Sequence, residues 1–172
     1  GAFWIIVVCA IIANGVSKAY AMTGWRIGFL AGPEWIIKGC NKLQGQYTSG
    51  TCSVSQKAAE AAYTLDQSAV EEMRQAFERR RDLIVKLAKE VPGLEVNIPQ
   101  GAFYLFPNVK KAMEMKGYTD VTEFTTAILE EAEVALVTGA GFGAPENVRL
   151  SYATDLDTLK EAVRRLKAFM EK

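Results

Sequence analysis

Residues 2–13 form an unbroken apolar run, Ala-Phe-Trp-Ile-Ile-Val-Val-Cys-Ala-Ile-Ile-Ala. The run is too short to span a bilayer as a helix. Its β-branched content instead predicts a fully buried strand, or two short ones. Asn14-Gly15 reads as a turn signal. From Trp25 the chain alternates, which places Ile27 and Phe29 on one face of a strand and Arg26 and Gly28 on the other. Gly28 has no side chain, so a ligand or another backbone can come close there. Gly32-Pro33 then breaks the chain, and a helix is predicted from Glu34 to about Gln46. Residues 47–53 read as a loop of small and polar residues.

Farther along, the period lengthens. Ser53-Val54-Ser55-Gln56 reads as a capping box opening a short alanine-rich helix, and Ser68-Ala69-Val70-Glu71 as a second one opening the longest helix. In that helix Val70, Met73, Phe77, Ile84, Leu87 and Val91 recur at steps of three, four or seven, a stripe that reads as core packing. Pro92-Gly93 ends it. Short strands are predicted over 94–98 and 102–106, separated by Pro99-Gln100-Gly101, and over 134–137 and 148–153. Two helices complete the pattern. The first covers 120–132 with Phe124, Ile128 and Leu129 inward. The second starts near Asp155 and repeats Leu156, Leu159, Val163, Leu166 and Met170. The long helix therefore reads as a bridge between two units.

Composition narrows the chemistry. At 172 residues, 49% of them hydrophobic, the chain can build one substantial core or two small ones. Lys plus Arg and Asp plus Glu both number 20, so the formal charge is zero and nothing points to nucleic acid. The basic cluster Arg79-Arg80-Arg81 is flanked by Glu78 and Asp82 and reads as a solvated helix face. There is no histidine. That excludes Ser-His and Cys-His nucleophile pairs and the common zinc sites, leaving acid–base work to Lys, Asp, Glu, Tyr or Cys. Cys9, Cys40 and Cys52 are an odd set without Cys-x-x-Cys spacing, which predicts a reducing, cytoplasmic setting.

Two stretches carry candidate chemistry, and a third only imitates one. In residues 17–29, Lys18 precedes Arg26 with no carboxylate between them. An amine that can form a Schiff base, followed by a guanidinium fork, suits a ligand bearing both a carbonyl and a phosphate. On spacing alone, the plainer reading is a lysine at a strand end and a surface arginine. In Val148-Arg149-Leu150-Ser151-Tyr152-Ala153, alternation sends Val148, Leu150 and Tyr152 to the core and leaves Arg149 and Ser151 on the other face. Gly139-Ala140-Gly141-Phe142-Gly143-Ala144 fits a dinucleotide-binding pattern. Pro145 and a strand follow it, though, where that fingerprint needs a helix N-terminus, so it reads as a glycine-rich turn.

The segment Ser17-Lys18-Ala19-Tyr20-Ala21-Met22-Thr23-Gly24-Trp25-Arg26-Ile27-Gly28 resembles the cofactor-lysine signature of the fold type I, pyridoxal-phosphate-dependent aminotransferases, and looks most like the class I aspartate aminotransferase group. Pro99-Gln100-Gly101-Ala102-Phe103-Tyr104 and Arg149-Leu150-Ser151-Tyr152-Ala153 resemble later segments of the same enzymes. The resemblance implies an α/β fold, with residues 1–66 as the C-terminal part of the large cofactor-binding domain, 67–91 as a connecting helix and 92–172 as a small α+β domain. It implies that Lys18 holds pyridoxal 5'-phosphate as a Schiff base, that Ser17 and Arg26 hold the phosphate, and that Arg149 binds the substrate α-carboxylate. The implied substrates are an amino acid, aspartate or a related one, and a 2-oxo acid, on a homodimer with no membrane or nucleic-acid partner.

The resemblance covers about the C-terminal two-fifths of such an enzyme. In the family an aspartate that pairs with the pyridine nitrogen lies upstream of the lysine. Here fewer than twenty residues precede Lys18 and none is Asp, Glu or Tyr. With no initiator methionine, the chain is therefore expected to be a fragment, inactive alone, whose residues 1–66 drive self-association. A non-catalytic structural remnant and a pyridoxal-phosphate lyase on the same scaffold are the alternative readings.

Overall fold

The computed structural model describes residues 10–172, so the expectation for the first part of the apolar run lies outside the described residues. The chain folds as two compact units, one ending at Glu72 and the other running from Met73 to Lys172.

In the first unit, β1 (Ile12–Gly15) pairs antiparallel with β2 (Gly28–Ala31), Ile12 opposite Ala31 and Gly15 opposite Gly28. The two glycines let the backbones close up. A Cβ on Gly15 would lie 2.9 Å from the Ile27 carbonyl oxygen, and one on Gly28 would lie 3.1 Å from that of Asn14. Of the two visitors that the bare Gly28 could admit, it faces a backbone. The structure corrects two expectations here. Asn14-Gly15 is strand rather than turn, and the connection follows it. The strand is also exposed rather than fully buried, with Ile12 at 60%, because among the described residues its sheet has two strands.

Three helices follow: α1 (Glu34–Tyr47), α2 (Ser53–Thr64) and α3 (Ser68–Ala88). Pro33 opens α1, its carbonyl accepting from the Ile36 and Ile37 N–H groups at 3.0 and 3.1 Å. Neither expected capping box has its predicted form. At α2, Cys52 occupies the cap position and Gln56 Nε2 donates to the Thr51 carbonyl at 2.8 Å. At α3, Ser68 is already helical, and the Asp66 carboxylate accepts from both its hydroxyl and, at 3.3 Å, its N–H. A carboxylate two residues earlier does the capping that the serine was expected to do.

The second unit is built on a three-stranded antiparallel sheet, in the order β3 (Tyr104–Leu105), β5 (Val148–Ser151), β4 (Val137–Thr138), where β4 and β5 follow chain order. Around it lie α4 (Lys110–Lys116), α5 (Val121–Ala132) and α6 (Leu156–Glu171). The strands are shorter than the alternation predicts. Residues 94–98 contribute a single bridge, Glu95 to Asn108, and 134–137 yield β4 only at their end. Helix α4 is unexpected; the Asn108 carboxamide oxygen accepts the Lys110 N–H at 2.9 Å as it begins.

Helices α5 and α6 are each capped by an aspartate, and α6 buries the expected Leu159, Val163, Leu166 and Met170 but leaves Leu156, in its first turn, 42% exposed. Asp120 accepts from Thr122 and Glu123, and Asp155 from Asp157 and Thr158. Phe124 and Ile128 are buried, but Leu129 is exposed, one step of about 100° round the helix from Ile128. The core joins Ile84 and Ala88 of α3 to Leu105, Phe124, Val148, Leu150, Val163 and Phe169. Gly93, at φ +80°, admits the chain past α4, where a Cβ would lie 2.7 Å from the Ala112 backbone. No helix among the described residues is long and apolar enough to cross a membrane.

Candidate functional site

The connection between β1 and β2, residues 16–27, carries the lysine stretch. It is anchored at its start by Val16, which is 1% exposed, so Ser17 and Lys18 leave directly from a buried point. The Val16 carbonyl accepts from the Tyr20 N–H at 3.3 Å and the Lys18 carbonyl from the Ala21 N–H at 3.2 Å, which winds residues 17–20 into a turn. Tyr20 then ties the turn to the helices. Its ring meets Tyr63 of α2 edge-on at 5.0 Å, and its hydroxyl donates to Gln67 Oε1 at 3.1 Å.

Arg26 does not lie on a strand face beside Gly28, as the alternation predicts. Thr23–Trp25 form a 3-10 turn, and Arg26 follows at φ +52°. Its guanidinium Nη1 donates back to the Thr23 carbonyl at 3.1 Å. Left-handed backbone at a non-glycine residue stores strain, which the turn and this hydrogen bond hold in place. The glycine pair Gly15–Gly28 closes the hairpin, and Ser17 and Arg26 each lie two residues beyond it. The hairpin thus carries a hydroxyl, an amine and a guanidinium at one end. Ser17 is partly buried, whereas Lys18 and Arg26 are exposed. Beside the hairpin a cavity of about 430 Å³ is lined by Gly15, Val16, Phe29, Gln56, Glu60 and Tyr63, among others.

Arg149 belongs to the second unit. Val148 and Leu150 are buried and Arg149 is half-buried on the opposite face of β5, as the alternation predicts. Its Cζ lies over the Tyr104 ring at 4.5 Å and over the Phe142 ring at 4.9 Å. Among the described residues no carboxylate forms an ion pair with it. Tyr152 fixes the neighbouring chain: its hydroxyl donates to the Ala102 carbonyl at 3.0 Å, and Ala102 sits at φ +59°. Burial pushes the Tyr152 hydroxyl pKa up, against the lowering charge of Arg81.

The glycine-rich motif is the turn that its sequence predicts. Gly139–Phe142 form a 3-10 turn that leads to β5, and a Cβ on Gly139 would lie 2.3 Å from the carbonyl oxygens of Ala144 and Asn147. Among the described residues no group of His, Cys, Asp or Glu could hold a metal ion. The sequence reading missed the two rings over Arg149. Tyr104 had a signal, since it alternates with the buried Leu105 and so shares the outer face. Phe142 had none, because a 3-10 turn has no alternation to read.

The profile of the family described as aminotransferase class I and II matches residues 6–166. An asparagine–oxo-acid transaminase of Streptococcus mutans is 64% identical over 162 residues, which are 94% of this chain and 41% of that protein. An aspartate aminotransferase of Geobacillus stearothermophilus is 56% identical over 161 residues, with the same coverages of 94% and 41%. Among solved structures, an aspartate aminotransferase from Rhizobium meliloti superposes with a TM-score of 0.89 at 39% identity, covering 96% of this chain and 42% of that one. An aromatic aminotransferase from Pyrococcus horikoshii gives 0.88 at 39% identity, with 96% and 44% covered. The chain thus spans about two-fifths of the length of these relatives and has part of the α/β fold of the fold type I transferases. The lysine hairpin and the Arg149 strand both fall within the matched residues, and the chain belongs to the aminotransferase class I and II family.

Proposed function

We propose that the protein carrying this sequence is an aminotransferase that moves an amino group between an amino acid, aspartate or a related one, and a 2-oxo acid. The observation that carries this reading is the hairpin loop, which presents Ser17, Lys18 and Arg26 at one end of a closed glycine pair. That donor set suits pyridoxal 5'-phosphate: an amine for its aldehyde, and a hydroxyl with a guanidinium for its phosphate. When bound, the cofactor supplies an electron-withdrawing ring to the substrate Cα. Lys18 would hold the cofactor's aldehyde carbon through Nζ, and its free amine would carry the substrate Cα proton. Ser17 and Arg26 hold phosphate oxygens. Arg149 takes the substrate α-carboxylate, since its planar fork makes two parallel hydrogen bonds that a lysine could not.

On this reading, residues 1–66 belong to the large cofactor-binding domain, 67–91 connect, and 92–172 form the small domain. The names of the relatives support the substrate class, and the chain's coverage of about two-fifths of their length makes the remaining protein part of the activity. The free thiols of Cys40 and Cys52 suit the cytoplasm. The exposed apolar residues Ile12, Phe29, Trp35 and Tyr47 favour a homodimer.

Borohydride reduction of the full-length protein with pyridoxal phosphate, followed by peptide mapping, tests the central assignment. The reduced label is expected on Lys18, and Lys18→Ala should remove it. A label on another lysine with Lys18 unmodified would refute the reading.

A further inference from the structure

Arg149 is held by rings rather than by charge. Tyr104 pairs with Ser151 across β3 and β5, so its side chain shares the face of Arg149 two residues along, within reach of an aromatic ring. Phe142 arrives from the glycine-rich turn. That turn is fixed by the lack of room at Gly139 and by the Thr138 hydroxyl, which accepts the Ala140 N–H at 3.3 Å. Phe106 steadies Phe142 edge-on, with ring centroids 6.1 Å apart. Phe142 is 54% exposed, so burial in the core is not what fixes its place.

We infer that Tyr104 and Phe142 are positioning residues that hold the Arg149 guanidinium ready for a substrate carboxylate. The inference rests on the reading of Arg149 as the carboxylate-binding residue. A cation–π contact restrains a guanidinium without using its N–H donors, whereas a neighbouring carboxylate would occupy them. The rings thus remove rotamer freedom from a long side chain while leaving its fork open to a carboxylate. Because this restraint acts on ground state and transition state alike, its loss raises KM and leaves kcat nearly unchanged.

The experiment, made on the full-length protein that carries this sequence, combines kinetics with the NMR resonance of Arg149 Nε–Hε, assigned by its disappearance in Arg149→Lys. In Phe142→Leu and Tyr104→Leu, KM for aspartate is expected to rise about tenfold with kcat within about twofold, the loss of a partly desolvated cation–π contact. The resonance should lose its ring-current shift in both. Tyr104→Phe and Phe142→Tyr should retain both properties, because each keeps a ring. Unchanged KM and an unmoved resonance in the leucine variants would overturn the inference, and so would a raised KM with an unmoved resonance. Phe142→Leu decides the matter if Tyr104→Leu does not fold, since Phe142 lies outside the core. If Arg149→Lys leaves KM unchanged, the carboxylate assignment itself falls. The resonance still reports independently whether the rings hold the guanidinium.

Discussion

Residues through Glu72 and residues from Met73 onward both carry regular apolar patterns, but they use them differently. Among the described residues of the first unit, Val16 and Ser55 are buried, while Ile12, Phe29, Leu30, Trp35, Tyr47 and Leu65 are exposed. The second unit closes a continuous core from Ile84 to Met170. Sheet size accounts for much of the contrast. A two-stranded hairpin has little face to bury and is marginal by itself, whereas three strands packed with helices enclose an interior. The candidate chemistry divides along the same line. Lys18 and Arg26 ride on a loop of the less consolidated unit, where local opening costs little. Arg149 stands on a strand whose other face is core, so its backbone is as fixed as the unit itself.

The largest expected effect tests this contrast directly. Phe124→Ala, which empties a site deep in the second unit, should cost about 3–5 kcal/mol in urea unfolding. Val16→Ala, at the buried anchor of the hairpin, should cost about 1–2 kcal/mol. Equal costs would show that the first unit is as tightly built as the second. A middle-sized effect comes from glycine. Gly139→Ala drives a Cβ into two carbonyl oxygens and should cost about 1–3 kcal/mol. Gly24→Ala in the first unit meets nothing within 4 Å and should change stability by less than about 0.5 kcal/mol. A large loss at Gly24 would reveal packing around the hairpin loop that the geometry does not contain.

The smallest effect is electrostatic and belongs to the second unit. Hydrogen bonds from Thr158, side chain first and then backbone, hold Asp155 at about 2, below its ordinary 3.8. Hydrogen bonds from Arg164 and then Arg165 hold Glu161 at about 2, below 4.5. Both folded values are depressed, so the unfolded chain binds more protons. The stabilisation is complete above the unfolded values and is lost as pH falls from about 4.5 towards 2. Thermal midpoints across that window should decline, and Asp155→Asn should make the decline shallower. Exposure and screening keep the change modest, and an equally steep decline in Asp155→Asn would refute the role of this cap.

Much of the helical content was legible from local signals. Gly32-Pro33 marked the break before α1, and the 3.6-residue stripes marked α3, α5 and α6. Strand extents were harder to read, because alternation in 94–98 records which side chains turn inward without stating how many backbone pairs form. The Ser53 and Ser68 boxes failed for a related reason: several nearby polar groups can satisfy a helix N-terminus, and tertiary geometry selects among them. Lys18, Ser17, Arg26 and Arg149 could be named from motif wording, although alternation placed Arg26 on a strand face where the structure has the end of a 3-10 turn.

The sequence by itself determined the inward face of β5, most of the inward positions of α5 and α6, and the turn at Gly139–Phe142, because these follow from side-chain type and spacing. Only the tertiary structure decided that the apolar residues beside Lys18 stay exposed, that Gly15 and Gly28 close upon one another, that Arg26 takes a left-handed backbone, and that two rings distant in sequence meet over Arg149. Those outcomes depend on which strands find partners and on how loops return, and such contacts join residues that no local pattern relates.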